Sequence, residues 1–249
     1  MFVKSGSHIA AILPQDQVRR SRAPLVLSRL LGVALAALLV MPLAEATQPA
    51  EAGKKFKTIT KTISSNGQVN VPGAGTSGPA NPYPSTIKVD EFEKFKQAKI
   101  TDVNLILRDF SHELPENVDV MLALGNRRAI VMGDAGDGTD AVNIDLVLDD
   151  QAAADLPEGA DLVGGTFRPA NLTGADPFPA PAPAPDANVA LSTFNGAAPD
   201  GQWQLFVHDD FNGSTGSISG GWQLEITAKV KNDKDDKKGK NDKKGKKND

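Results

Sequence analysis

From about Ser85 onward, apolar and polar residues alternate with a period of two, the pattern of strands with one buried face. Val103, Leu105 and Leu107 form one apolar set. Val118, Val120, Leu122 and Leu124 form a second, in phase against Asp119, Met121 and Ala123. Val142, Ile144, Leu146 and Leu148 make a third, and Trp203, Leu205, Val207 and Trp222, Leu224, Ile226 complete the series. No helical periodicity of comparable length interrupts them, and only Asp90–Ala98 and Asp149–Asp155 leave room for a turn or two of helix. Half-buried strands joined by Gly, Asn and Pro turns predict an all-β sandwich of two sheets packed face to face.

Breaks in the alternation set the domain limits. Proline occupies every second position from Pro177 to Pro185, and proline supplies no ladder donor. The run therefore predicts an extended crossover lying along the domain, with Phe178 tucked in. The residues that follow it are too few for a second sandwich of about 100, which keeps the crossover inside the domain. Upstream, Thr58-Ile59-Thr60-Lys61-Thr62-Ile63 is β-like, but Ser64-Ser65-Asn66-Gly67 and the stretch Pro72–Pro79 break structure repeatedly. The reading is a disordered linker over 47–84 with one edge strand, a β-sandwich over 85–228, and a disordered tail over 229–249, where no apolar residue follows Val230.

Charge sharpens this division. The 249 residues carry a net charge of −4 and no cysteine. Five Lys/Arg against Asp16 and Glu45 make 1–46 basic, and ten Lys against five Asp do the same for 229–249, leaving twelve net negative charges on 47–228. An acidic body of that kind is repelled by phosphate backbones, which argues against nucleic acid as a partner. The basic stretch ends at Arg29, an apolar run covers Leu30 to Leu43, and Ala44-Glu45-Ala46 supplies small residues for cleavage. This predicts a signal peptide over 1–46 and a secreted, extracellular protein. A retained anchor is the competing reading, but the apolar run is shorter than the ~20 residues a membrane span needs, so no span is expected in the mature chain.

Several motifs then fall into one order. Leu191-Ser192-Thr193-Phe194-Asn195-Gly196, Pro199-Asp200-Gly201-Gln202-Trp203-Gln204-Leu205, Val207-His208-Asp209-Asp210 and Gly216–Leu224 follow one another. Upstream stand Ser111-His112, Val118-Asp119-Val120, Val131–Gly136 and Gly165–Pro169. Together, over about Val103 to Thr227, they resemble the P domain (Homo B domain) of the proprotein convertase family, in a bacterial secreted protein without the protease domain. The resemblance implies a jelly-roll β-sandwich that contributes no catalytic residue, acting on a protein or cell-surface partner. It also implies an alternative role, as accessory to a separate secreted subtilisin-like serine endopeptidase. The sequence departs from the family at Leu124-Gly125-Asn126-Arg127-Arg128, in place of the usual Pro/Gly-containing turn, and at Ser214, where bacterial relatives often carry Asp.

The residues offer little for catalysis. Gly75-Thr76-Ser77 has the look of a nucleophile motif, but Gly78-Pro79-Ala80-Asn81-Pro82 cannot start the helix such a serine needs. Asp149-Asp150 and Asp209-Asp210 are adjacent strand or turn residues whose carboxylates diverge. His112 reads as a structural hydrogen-bonding histidine at a strand end, and Trp203 and Trp222 as core. The sharper signal is Asp134-Ala135-Gly136-Asp137-Gly138-Thr139-Asp140. Three carboxylates in a glycine-containing loop suit a hard cation, so Asp134, Asp137 and Asp140 form a candidate calcium loop, with Asp145 or Asp209 completing the oxygen shell.

Overall fold

The computed structural model describes residues 56–173 and 176–231. The signal peptide read over 1–46, the first part of the linker and the tail beyond Lys231 lie outside the described residues. The strands are β1 (Phe56–Ser65), β2 (Val69–Val71), β3 (Gly78–Pro79), β4 (Ser85–Val89), β5 (Lys99–His112), β6 (Val118–Leu124) and β7 (Arg127–Gly133). After them come β8 (Ala141–Leu148), β9 (Ala154–Asp155), β10 (Gly165–Arg168), β11 (Ala170–Asn171), β12 (Gly201–Asp209), β13 (Gly216–Ile218) and β14 (Trp222–Lys231). Single 3-10 turns cover Pro115–Asn117 and Leu191–Phe194, and neither Asp90–Ala98 nor Asp149–Asp155 forms a helix. Among the described residues, no helix is long and apolar enough to cross a membrane.

The fold is all-β, as the alternation predicts. One sheet runs β1-β14-β5-β8-β10-β9, with β13 joining β2 to β5; the other runs β11-β7-β6-β12-β3, with β4 also on β12. Their inner faces share one hydrophobic core, in which Val103, Leu105, Leu107, Trp222 and Leu224 of the first sheet meet Val120, Leu122, Trp203 and Leu205 of the second. Both tryptophans are fully buried and both indoles are satisfied. Trp203 Nε1 donates to the Pro199 carbonyl at 3.0 Å and Trp222 Nε1 to Ser85 Oγ at 2.9 Å. Core packing, not ligand stacking, is their role.

Three expectations need correction. The expected edge strand is present as β1, at the end of the first sheet, but the remainder of the segment read as linker is folded as well. β1 pairs with β14 along its whole length, from Phe56↔Lys231 to Ser65↔Trp222, and Val69 and Val71 are fully buried. The glycines and prolines that suggested disorder shape tight connections instead. At the other end, β14 carries Lys229 to Lys231 into the sheet, past the boundary at 228. The third correction concerns β8, where the apolar phase breaks. Leu146 and Leu148 point inward, but Val142 is 63% exposed while Ala141 is buried. Asn143, at φ 50°, adds a residue to β8 between the Phe110↔Ile144 and His112↔Ala141 pairs, and each such bulge flips side-chain parity.

Burial of Ile63, Val69 and Val71 contributes about 1.5–3 kcal/mol per side chain, against a total stability of about 5–15 kcal/mol. A chain beginning at Ser85 is therefore expected to lose cooperative urea unfolding followed by tryptophan fluorescence. A chain beginning at Phe56 keeps it.

Candidate metal centre

The second sheet has an unusual middle. Six of the seven residues of β6 are buried, on both faces. Its inner side chains belong to the main core. Its outer side chains Met121 and Ala123 join Ile130, Phe206 and Phe178 in a second, smaller cluster. Phe178 belongs to the proline crossover, expected to lie along the domain with this ring tucked in; the structure puts it on this outer face. Asp119 shares the face of Met121, so it is buried too, with 1% of its surface exposed.

Strand register then gathers polar groups around it. Asp119 lies directly opposite His208 on β12. On the other side, Val120 pairs with Met132 of β7, one step before Gly133, and Gly133 pairs with Asn171 of β11. Asp134 follows Gly133 in the left-handed region, φ 54°, a conformation Asp tolerates better than most residues. Asp176, at the head of the proline crossover, closes the arrangement and is 6% exposed. Carboxylate oxygens of Asp119, Asp134 and Asp176 all lie within 4.8 Å of one another. By plane geometry one point then lies within about 2.8 Å of all three, against calcium–oxygen bonds of about 2.3–2.6 Å.

The electrostatics match this crowding. Burial, and then repulsion from Asp176, Asp210 and Asp134, pushes the Asp119 carboxyl up from 3.8 to about 9. Burial and Asp134 raise Asp176 as well, partly offset by a hydrogen bond from Asn171. Burial and Asp134 raise Asp210. Oδ2 of Asp119, Asp134 and Asp176 and Oδ1 of Asn171 are all buried without a hydrogen-bond partner. Such atoms cost free energy unless something meets them. Gly133 makes the space. A Cβ there would lie 2.3 Å from Asn171 Oδ1 and 3.0 Å from Asp176 Oδ2.

No known protein family, curated protein or solved structure matches this chain. The geometry alone therefore carries the reading of the site. All the donors are oxygens, which suits a hard cation such as calcium, magnesium or manganese over zinc or copper.

The structure redistributes the residues singled out in the sequence. Asp134 is in the cluster. Asp137 faces a cavity of about 370 Å³ that Asp134, Glu116 and Glu158 also line, and its Oδ1 accepts from the Thr139 N–H at 3.0 Å. It lines this cavity and is not one of the three clustered carboxylates. Asp140 is exposed and lines a separate cavity with His112. Neither suggested completing ligand takes part. Asp145 pairs with Arg108 at 3.3 Å, and Asp209 Oδ2 lies 3.2 Å from His112 Nε2 in a fully buried pair set off the ideal hydrogen-bond line. Asp119 and Asp176 escaped the sequence reading. The signal was present, since Met121 and Ala123 are apolar in the phase of Asp119.

A carboxyl whose folded-state value lies above its unfolded one contributes stability that is complete at low pH and lost as pH rises through the raised value. Asp119 sets that window between 3.8 and about 9. In chelator, the melting temperature is expected to fall between about pH 5 and pH 9, and Asp119→Asn is expected to flatten the decline. A profile identical in the wild type and the variant rules out Asp119 as its source.

Proposed function

We propose that the chain is a non-catalytic, secreted β-sandwich module of the P-domain kind, held in its working form by calcium at Asp119, Asp134 and Asp176. One observation carries the cation: three carboxylates, Asp119 and Asp176 buried and Asp134 half-buried, each turn a buried, unpartnered oxygen toward a single point. Asn171 Oδ1, backbone carbonyls and water complete the shell, since calcium takes about six to eight oxygens. Glu116, Asp137 and Glu158 form an acidic approach that draws cations inward.

The non-catalytic reading rests on how Ser111, His112 and Asp209 are arranged. Among the described residues they are the serine, histidine and aspartate that invite a hydrolytic reading. Ser111 Oγ, however, donates to Asn143 Oδ1 at 3.3 Å and accepts from the Asn143 N–H at 2.8 Å. His112 Nδ1 contacts the Leu114 carbonyl at 2.8 Å, and its ring is sealed by Gly216, where a Cβ would sit 2.4 Å from Cδ2. A nucleophile must share a hydrogen bond with its base, and this serine faces away. The module's work is then contact with an extracellular protein or cell surface, as the sequence resemblance implies.

A site with the roughly 0.1 mM affinity found in extracellular calcium modules, given 100-fold excess ligand, adds about 2.7 kcal/mol. Calcium at about 10 mM is therefore expected to raise the melting temperature by about 5–10 °C. Asp134→Asn and Gly133→Ala are expected to abolish the rise and to remove calcium binding by calorimetry, whereas Asp140→Asn preserves both. No response to calcium, magnesium or manganese would overturn the reading.

A further inference from the structure

The proline crossover and the carboxylate cluster are joined through one residue, Asp176. Immediately after it, Pro177 to Pro185 lies over the outer face of the second sheet, covering Met121, Ala123, Ile130 and Phe206. Proline has no N–H, so this strap cannot be stitched down by a ladder. Its bonds to the rest of the domain, counted with those of Asp186 and Asn188 just after it, are correspondingly sparse. Tyr83 Oη donates to the Pro179 carbonyl at 3.1 Å, the Ile130 N–H donates to the Asn188 carbonyl at 3.0 Å, and Arg128 Nε lies 3.7 Å from Asp186. Phe178 supplies the main apolar contact, 8% exposed, with its ring 6.4 Å from that of His208. At the head of the strap, the buried Oδ2 of Asp176 has no hydrogen-bond partner and faces two other carboxylates.

We propose that the cation bound at Asp119, Asp134 and Asp176 is a latch, fixing the strap Pro177–Pro185 against the outer face of the second sheet, and that its removal releases the strap and uncovers Met121, Ala123, Ile130 and Phe206. This inference rests on the cation site above and adds what the site controls. Without a cation, three mutually repelling carboxylates meet at one point, two of them fixed to strands or to the turn after a strand. Asp176 is the member that can leave with its segment. The strap departs and the inter-sheet core stays, because the core is held by full-length ladders and both tryptophans. A sparsely bonded segment over a rigid sheet is where local opening is expected. The strap thus makes an apolar surface conditional on extracellular cation.

The chain has no cysteine, so single thiols report cleanly. Ala123→Cys lies under the strap, and Ala129→Cys lies in the inter-sheet core. Thiol labelling of Ala123→Cys in the full chain is expected to be at least about tenfold slower in calcium than in chelator, while Ala129→Cys stays slow in both. In the unaltered chain, hydrogen exchange at the Ile130 amide is expected to accelerate similarly in chelator, which covers the case of a cysteine variant that folds poorly. Calorimetry on the same samples separates the two ideas. Calcium binding with unchanged labelling and exchange overturns the latch and leaves the cation site standing. Equal acceleration at positions 123 and 129 means global loosening and also overturns it. Absence of calcium, magnesium and manganese binding removes the site and the latch together.

Discussion

Asp119 sits on a strand with no solvent side, and most of the interest of this molecule follows from that. β6 has the main core beneath it and the proline strap above it, so the register that places Met121 and Ala123 in an apolar layer must also bury a carboxylate. A lone buried carboxylate takes up a proton. Here Asp134 and Asp176 are brought to the same point, and one proton cannot answer three acids. The sheet spends stability to assemble the cluster, and a bound counter-ion would return it. Three carboxylate oxygens and one amide oxygen are left there buried and without partners, and buried polar atoms in that state call for an explanation.

The two layers over β6 differ in strength for reasons visible in their chemistry. The inner layer is contributed by both sheets and locked by ladders such as the ten paired positions of β1 and β14. The outer layer is a handful of apolar side chains under a segment in which every second residue lacks a donor. Cooperative unfolding is expected of the first and local opening of the second. His208 stands at the junction beside Phe178: burial lowers its affinity for a proton, although Asp210 and Asp209 work against this. The neighbouring His112–Asp209 pair serves a different purpose, tying the end of β5 to the end of β12.

Much of this architecture was legible in the sequence, because period-two alternation is a strong signal wherever one face meets solvent. The five apolar sets all fall on strands, Trp203 and Trp222 are core, and the proline crossover lies along the domain with Phe178 buried. Alternation fails where its premise fails. β2 and β3 are too short to show a period, so the folded stretch 69–84 looked like linker. β8 carries a bulge at Asn143 that inverts its phase, so Val142 seemed inward and is not. The candidate site shows the same limit. Spacing within one loop linked Asp134, Asp137 and Asp140, whereas the sheet joins Asp134 to residues from β6 and from the crossover, a long-range register that local spacing does not encode.

A different counter-charge, the lysine or arginine of a partner protein, has to be weighed against a metal ion. The acidic cavity at Glu116, Asp137 and Glu158 is open enough to admit a side chain. The convergence point is not. Asp119 and Asp176 are almost wholly buried, and Gly133 leaves no more room than a missing Cβ provides. An ammonium group reaching that point would bring its own methylene stem into a space already shared by Asn171 Oδ1 and Asp176 Oδ2. A bare cation enters without a stem and accepts oxygens from every direction, including carbonyls and water. In the proposed role the shape of the site divides the labour: the outer carboxylates would attract a cation, and the inner three would select for an ion small enough to be surrounded.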